Sequence, residues 1–324
     1  MATTIQEEKG FAGGVFGSMR GATGPLIGLI LLCLFLTFAT DKFFSVRNFL
    51  NIMDQITVLG VMAVGMTMVI LIGGIDLAVG SVMALSMMVL GYLHVTAGVP
   101  MMFAIPLALL AASLNGLIAG LIITRFNVPA FIATLAMMSI SRGLANMITD
   151  GQQIIGFPAW FNTMAIVRFG GFLTPTVAVM LVVFALGLLY QRYRKGGRIL
   201  YAIGGNPEVA RLAGINVQRA TVLVYVVCSF LAGLAGMVLA ARLDSVQPSS
   251  GVSYELDAIA AVVIGGTSLS GGTGGIGGTI IGVLIIGVLR NGLNLLSVSP
   301  FMQQVIIGAV IVLAVTAETY RKRR

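Results

Sequence analysis

Long apolar runs, separated by short polar or glycine-containing turns, follow one another from residue 24 to residue 318. Windows of about 19 residues, the length a helix needs to cross hydrocarbon, mark ten of them. They lie near 24–41, 51–72, 76–95, 100–123, 128–148, 171–191, 219–241, 253–269, 275–292 and 300–318. None alternates apolar and polar residues in the ten-residue segments of a barrel strand. A helix satisfies its own backbone inside lipid, so the runs read as helices. The pattern predicts an all-α polytopic membrane protein of about ten transmembrane helices with Gly-rich broken segments. A transmembrane domain spans 24–318, between an N-terminal tail (1–23) and a basic C-terminal tail (319–324). Loops at 149–170 and 192–219 are the largest interruptions. The first run has neither a strongly basic flank nor a small-x-small cleavage site before Asp41, so it reads as a retained span.

Composition strengthens this reading. Hydrophobic residues make up 58% of the chain and charged residues 9%, against about 25% charged in a soluble domain. The net charge of +8 is concentrated in a few loops and the last residues, which argues for membrane orientation rather than nucleic acid. With the N-terminus in the cytoplasm, thirteen Lys and Arg fall on the cytoplasmic side and six on the other, and an even span count returns the C-terminus to the cytoplasm. This is the arrangement of a multi-pass membrane protein with both termini in the cytoplasm. Cys33 and Cys228 sit in apolar runs without metal-like spacing. His94 stands alone near a span end, and Trp160 sits in the 149–170 loop, where headgroup-level aromatics gather. No cluster of nucleophile, base or metal ligands is present, so no catalytic residue is assigned and an embedded enzyme is disfavoured.

The segment 197–220, "GRILYAIGGNPEVARLAGINVQRA", is polar enough to leave the membrane. Asn206 is a good N-cap, Pro207 suits the first helical position, Glu208 complements the helix start, and Gly214 can end the helix in a left-handed turn. The spacing predicts a helix over 207–213 in which Glu208 and Arg211 pair. So short a helix is marginal by itself and needs support. It reads either as a connector or as a coupling helix set into a groove on a cytoplasmic ATPase subunit, with Ala210, Leu212 and Ile215 as apolar contacts.

The densest glycine run is "IGGTSLSGGTGGIGGTIIG" (Ile264–Gly282). Gly272, Gly274 and Gly277 have the spacing of a dinucleotide-binding turn. That turn requires a soluble strand before it, a soluble helix after it and an acid about 20 residues on, all missing here. No phosphate-binding G-x-x-x-x-G-K-[ST] loop occurs. Glycine in membrane helices instead permits close backbone packing or a helix break. An earlier "ILIGGIDLAVGS" (70–81) carries the same Ile-Gly-Gly, at Ile72, and suggests an internal repeat. Asp76 beside it is costly in a membrane unless paired or hydrated, and reads as a helix cap or a gate residue. Gly73, Gly74, Asp76, Asn115, Gly265, Gly266, Asn291 and Asn294 are the gate or permeation candidates, and Asn127 is a further polar residue at a span end.

"IGGIDLAVGS", "AIGGNPEVARLAGI", "ELDAIAAVVIGGTSLSGG" and "LRNGLNLLSVSPF", in this order, resemble permease subunits of bacterial ABC sugar importers of the ribose/xylose/arabinose type, the ribose type above all. The resemblance covers nearly all of the chain from about residue 25. One departure is Thr273 and Gly275, where relatives often carry a basic residue. The resemblance implies a pair of permease copies, a periplasmic sugar-binding protein and a cytoplasmic ATP-binding subunit, possibly with tandem nucleotide-binding domains. It implies no cofactor on this chain, with ATP and Mg on the partner ATPase. Gly204, Gly205, Asn206, Pro207, Glu208, Arg211, Leu212, Gly214 and Ile215 fall where the family's coupling helix lies. The expected function is import of a pentose-like monosaccharide. The alternatives are a permease of the same family for a nucleoside, autoinducer or polyol, and a gradient-driven secondary transporter, which would normally hold several intramembrane acids.

Overall fold

The computed structural model describes residues 23–322. The tail 1–22 and the last two arginines of the basic tail lie outside the described residues. Thirteen α-helices run through the described part: α1 Thr23–Ala39, α2 Val46–Leu71, α3 Val79–Gly91, α4 Met101–Arg125, α5 Ala130–Met147, α6 Ala159–Ile166, α7 Pro175–Tyr193, α8 Lys195–Gly205, α9 Pro207–Leu212, α10 Val217–Leu243, α11 Tyr254–Ile264, α12 Ile276–Leu295 and α13 Pro300–Lys322. A π-helical turn, Tyr92–Thr96, extends α3. Two short strands, β1 Ile154–Ile155 and β2 Ser245–Val246, pair antiparallel with Ile154 opposite Val246. Among the described residues seven helices are long and apolar enough to cross a bilayer, counting α3 with its π turn as one. Shorter apolar stretches lie at Thr23–Ala39 and Pro300–Val310.

Local chemistry sets several of the helix starts. Ser45 caps α2 by accepting from the Asn48 amide, Thr174 caps α7 ahead of Pro175, and Asn216 caps α10 by accepting from the Arg219 amide. Helix α10 lies in the centre of the bundle. It crosses α2 at Gly65, where an added Cβ would sit 2.8 Å from the Cys228 Cα, and α4 at Gly120, 2.8 Å from the Val222 Cα. These small residues let helices approach backbone to backbone, which is how membrane helices gain packing energy without a hydrophobic drive between them.

The helix order differs from the sequence reading in three places, the first being α8, an 11-residue helix inside the 192–219 loop. The apolar run 253–269 forms a helix of only 11 residues, which stops at Ile264; the glycines after it follow an irregular path. The 149–170 loop holds an eight-residue helix, α6, with Trp160 half-exposed on it. The two Ile-Gly-Gly sites are not copies of each other. After Gly74 the chain runs through a non-helical segment into the 13-residue α3, whereas after Gly266 it loops into the 20-residue α12. What recurs is helix order. Lengths of 26, 13, 25 and 18 residues in α2–α5 are followed by 27, 11, 20 and 23 in α10–α13. The second set begins in the opposite direction: Arg242 at the end of α10 donates to the Asp54 carbonyl near the start of α2. Long–short–long–long in opposite senses is the form of an inverted repeat.

Several polar side chains inside the bundle pair between helices. Asn48 and Asn291 exchange two amide hydrogen bonds, 3.0 and 2.9 Å, between α2 and α12. Thr67 meets Thr279 at 2.7 Å in the same pair of helices. Asp257 on α11 is held by Arg290 on α12, and Asp54 by Arg168. Asn291→Leu leaves the buried Asn48 Oδ1 without its donor, while Nδ2 keeps the Phe43 carbonyl, and is expected to cost about 1–3 kcal/mol. The double change Asn48→Leu with Asn291→Leu is expected to recover most of that loss. Thermal melting of the detergent-purified protein measures both; equal destabilisation by the single and the double would remove the pair's role.

Candidate functional site

The sequence singled out three stretches: the break at 72–78, the loop around 204–215 and the glycine run at 264–282. The structure brings all three to one end of the bundle. Gly204, near the end of α8, sits directly against the carbonyl of Leu71, the last residue of α2, and against the Gly272 amide. A methyl group at Gly204 would collide with both backbone atoms. The Gly272 amide donates to the Leu71 carbonyl at 2.9 Å. Gly271 would meet the Gly73 nitrogen 2.8 Å away if it had a Cβ, and both Gly271 and Gly272 have positive φ. Three segments far apart in sequence therefore touch backbone to backbone. This accounts for glycine at Gly204, Gly271 and Gly272, where an added Cβ would meet backbone atoms.

A side-chain network clamps the same junction. Tyr201 on α8 donates to the Gly274 carbonyl at 2.7 Å, and Gln191 at the end of α7 donates to the Tyr201 oxygen at 2.7 Å. The Gln191 Oε1 accepts from the Ile276 amide, the first residue of α12, at 3.0 Å. Burial pushes the Tyr201 hydroxyl above the usual phenol range, which keeps it a donor at neutral pH.

Helix α9 projects from this junction. Asn206 accepts from the Glu208 and Val209 amides at 2.9 and 3.1 Å, Pro207 occupies the first turn, and Gly214 has φ +82° after the helix end. Glu208 and Arg211 pair at 2.9 Å, both well exposed. Leu212 is 89% exposed and Val209 60%. Ala210, expected to offer an apolar contact, is instead buried against the protein, and Ile215 is only partly exposed. Val209 takes the outward place. A helix only six residues long gives too little periodicity to tell its two faces apart by sequence. Gly205 separates Gly204 from the cap and faces open space.

The gate candidates do not converge on one place. Gly73 and Gly74 belong to the break after α2. Asp76, in the same break, is 1% exposed, accepts from the Ala78 amide at 2.9 Å and lies beside the Cys228 thiol. It therefore holds the chain leading into α3, as a cap would. The Tyr225 hydroxyl, near Gly74, is buried without a hydrogen-bond partner. Gly265 packs against Gly278 at the start of α12, and Gly266 turns with φ +90°. Asn115 donates to the Ser141 hydroxyl between α4 and α5. Asn291 is locked to Asn48, and Asn294 accepts from Gln303 at 2.8 Å. Asn127, in the turn between α4 and α5, has a positive φ of 51°.

Residues 48–315 match the family model for the branched-chain amino acid transport system / permease component. The chain is 46% identical over 297 residues to the ribose import permease protein of Haemophilus influenzae, covering 91% of this chain and 92% of the relative. It is 45% identical over 302 residues to the ribose import permease protein of Bacillus subtilis, covering 93% of each. The xylose transport system permease protein of Escherichia coli is 33% identical over 360 residues, with 92% of each chain covered. No solved structure matches.

Proposed function

This chain belongs to the family of branched-chain amino acid transport system permease components, and we propose that it is the membrane permease subunit of an ATP-driven importer of a ribose-like monosaccharide. The observation that carries the mechanism is the glycine junction: α9, the only short helix projecting from that end of the bundle among the described residues, joins through Gly204 directly to the ends of both broken segments. The similarity to ribose and xylose permeases supports the substrate class.

The mechanism follows from the contacts. An ATP-binding subunit seated on Val209 and Leu212 moves α9 when it closes around nucleotide. The cap at Asn206 and the clamp at Tyr201 pass the motion to α8 with little loss, because both ends are hydrogen-bonded. At Gly204 there is no side chain to deform, so the motion reaches the Leu71 and Gly272 backbones directly. The segments 72–78 and 265–275, already irregular, absorb it and shift α3 and α11 against the rest of the bundle. Within the glycine run, Gly271 and Gly272 pack against the α8 backbone at Gly204. A periplasmic binding protein delivers the sugar, two permease copies enclose the path, and the whole sits in the bacterial inner membrane.

The test is uptake of labelled sugar by liposomes that hold the permease, its ATPase and the binding protein. Ribose accumulation that needs hydrolysable ATP and survives collapse of proton and sodium gradients supports the reading. Uptake abolished by gradient collapse and indifferent to ATP would establish a gradient-driven carrier. Competition by unlabelled pentoses, nucleosides and polyols ranks the substrates.

A further inference from the structure

Helices α7 and α10 flank an apolar groove of about 840 Å³, with α2 lining it at Val64 and Met68. Val182 and Leu186 form one wall, Phe230 and Leu234 the other. The groove runs from Pro175 to Arg194. At 1.5 Å per residue that is about 28 Å, close to the thickness of a bilayer's hydrocarbon. Its walls between these ends are apolar, and Val182 and Leu186 are 56% and 61% exposed.

One end is strongly basic. Arg194 lines the groove there, and Arg192, Lys195 and Arg198 are its neighbours along the chain, with the Arg192 guanidinium 5.5 Å over the Tyr193 ring. No acidic residue occurs between Asp150 and Glu208. Among the described residues, none of these four cations has an ion-pair partner, whereas Asp54, Glu208 and Asp257 are each already paired with another arginine. A second copy laid along the groove would bring apolar surface but few unpaired acids to this end. A phospholipid matches both features: acyl chains fill the apolar length and the phosphate meets the guanidinium, the ligand geometry arginine suits best.

We propose that the α7–α10 groove is a binding site for an anionic phospholipid, whose headgroup docks on the Arg192–Arg198 cluster beside the coupling helix. A lipid held there packs along α7 and the start of α8, and so stiffens the support of the junction that α9 drives. Basic pockets between membrane helices are known anion-headgroup sites, each basic residue contributing a severalfold preference.

The experiment is native mass spectrometry of the full-length permease in mild detergent, titrated with phosphatidylglycerol or phosphatidylcholine of the same acyl chains. Phosphatidylglycerol is expected to bind about tenfold more tightly or better. Replacing Arg192, Arg194 and Arg198 by Gln should remove the preference while leaving phosphatidylcholine binding in place. Val182→Trp, which fills the groove but keeps the charges, should weaken both lipids. Equal affinity for the two lipids in the wild type, or indifference to both variants, overturns the proposal. So does efficient disulfide cross-linking of Leu186→Cys to itself in native membranes, which would give the groove to a second copy.

Discussion

Replacing Leu212 by Asp should cut sugar uptake about thirtyfold or more without disturbing the membrane bundle. Leu212 is 89% exposed at the end of a six-residue helix. Nothing in the chain's own packing explains a leucine placed that far out, and Val209, three residues earlier, is exposed as well. Interfaces depend on a few central apolar or aromatic anchors, each costing about 2 kcal/mol or more when lost, which is a factor of about thirty in affinity. A carboxylate in the partner's groove adds a desolvation penalty to that loss. The chain itself should still fold, because the side chain leaves no cavity behind. Purification from native membranes in gentle detergent reads both halves of the expectation. The wild type should bring down an ATP-binding subunit at stoichiometric level, and Leu212→Asp should come out alone at normal yield. Adding Glu208→Arg, which sets two like charges three residues apart in place of a pair, should deepen the loss. Normal co-purification and uptake by the double variant would remove α9 from the coupling path.

Gly204→Ala is the second large effect, and its neighbour supplies the control. The added methyl at Gly204 meets backbone on two sides, the Leu71 carbonyl and the Gly272 amide, so neither neighbour can swing away as a flexible side chain would. Either α8 lifts off the junction or the turns at Leu71 and Gly272 move apart. Overpacking of this kind costs about 1–3 kcal/mol of stability, tolerable for a bundle this size. The functional cost is larger, because a displacement of about 1 Å in a transmitting element is enough to lose most of its effect; uptake is expected to fall at least about tenfold. Gly205→Ala changes the adjacent residue by the same methyl group into open space and should leave uptake near the wild-type level. Uptake assayed in cells, with membrane quantities matched by immunoblot, separates the two. Equal behaviour of Gly204→Ala and Gly205→Ala would show that the close approach carries no function.

Much of this architecture was legible in the order of residues. Apolar run length placed ten of the thirteen helices among the described residues, while α6, α8 and α9 lie in the two larger loops. The cap at Asn206, the proline after it, the Glu208–Arg211 pair and the left-handed Gly214 were readable because capping is local chemistry. The role of the glycine run was not. Sequence shows that glycine is abundant at 264–282 but not which backbone presses on it, and Leu71 and Gly204 lie far away along the chain. The early end of α11 at Ile264 escaped for a related reason: hydropathy continues through Leu269, and only the packing of Gly265 on Gly278 shows where the helix must stop. The repeat of helix order was hidden because the one shared text, Ile-Gly-Gly, falls at different places in the two sets, after α2 in one and at the end of α11 in the other. The pairing of Asn291 with Asn48 also depends on tertiary contact, and it gives a packing role to a residue that composition alone suggested for a polar path.

The central claim is that ATP hydrolysis on a partner reaches the sugar path through the Gly204 contact. The most direct measurement is the number of sugar molecules moved per ATP hydrolysed, in liposomes holding the permease, its ATPase and the binding protein, for the wild type, Gly204→Ala and Gly205→Ala. The account expects a fixed ratio in the wild type and in Gly205→Ala. In Gly204→Ala it expects continued hydrolysis with the ratio lowered at least about tenfold. An unchanged ratio in Gly204→Ala, with transport and hydrolysis falling together or not at all, would contradict it.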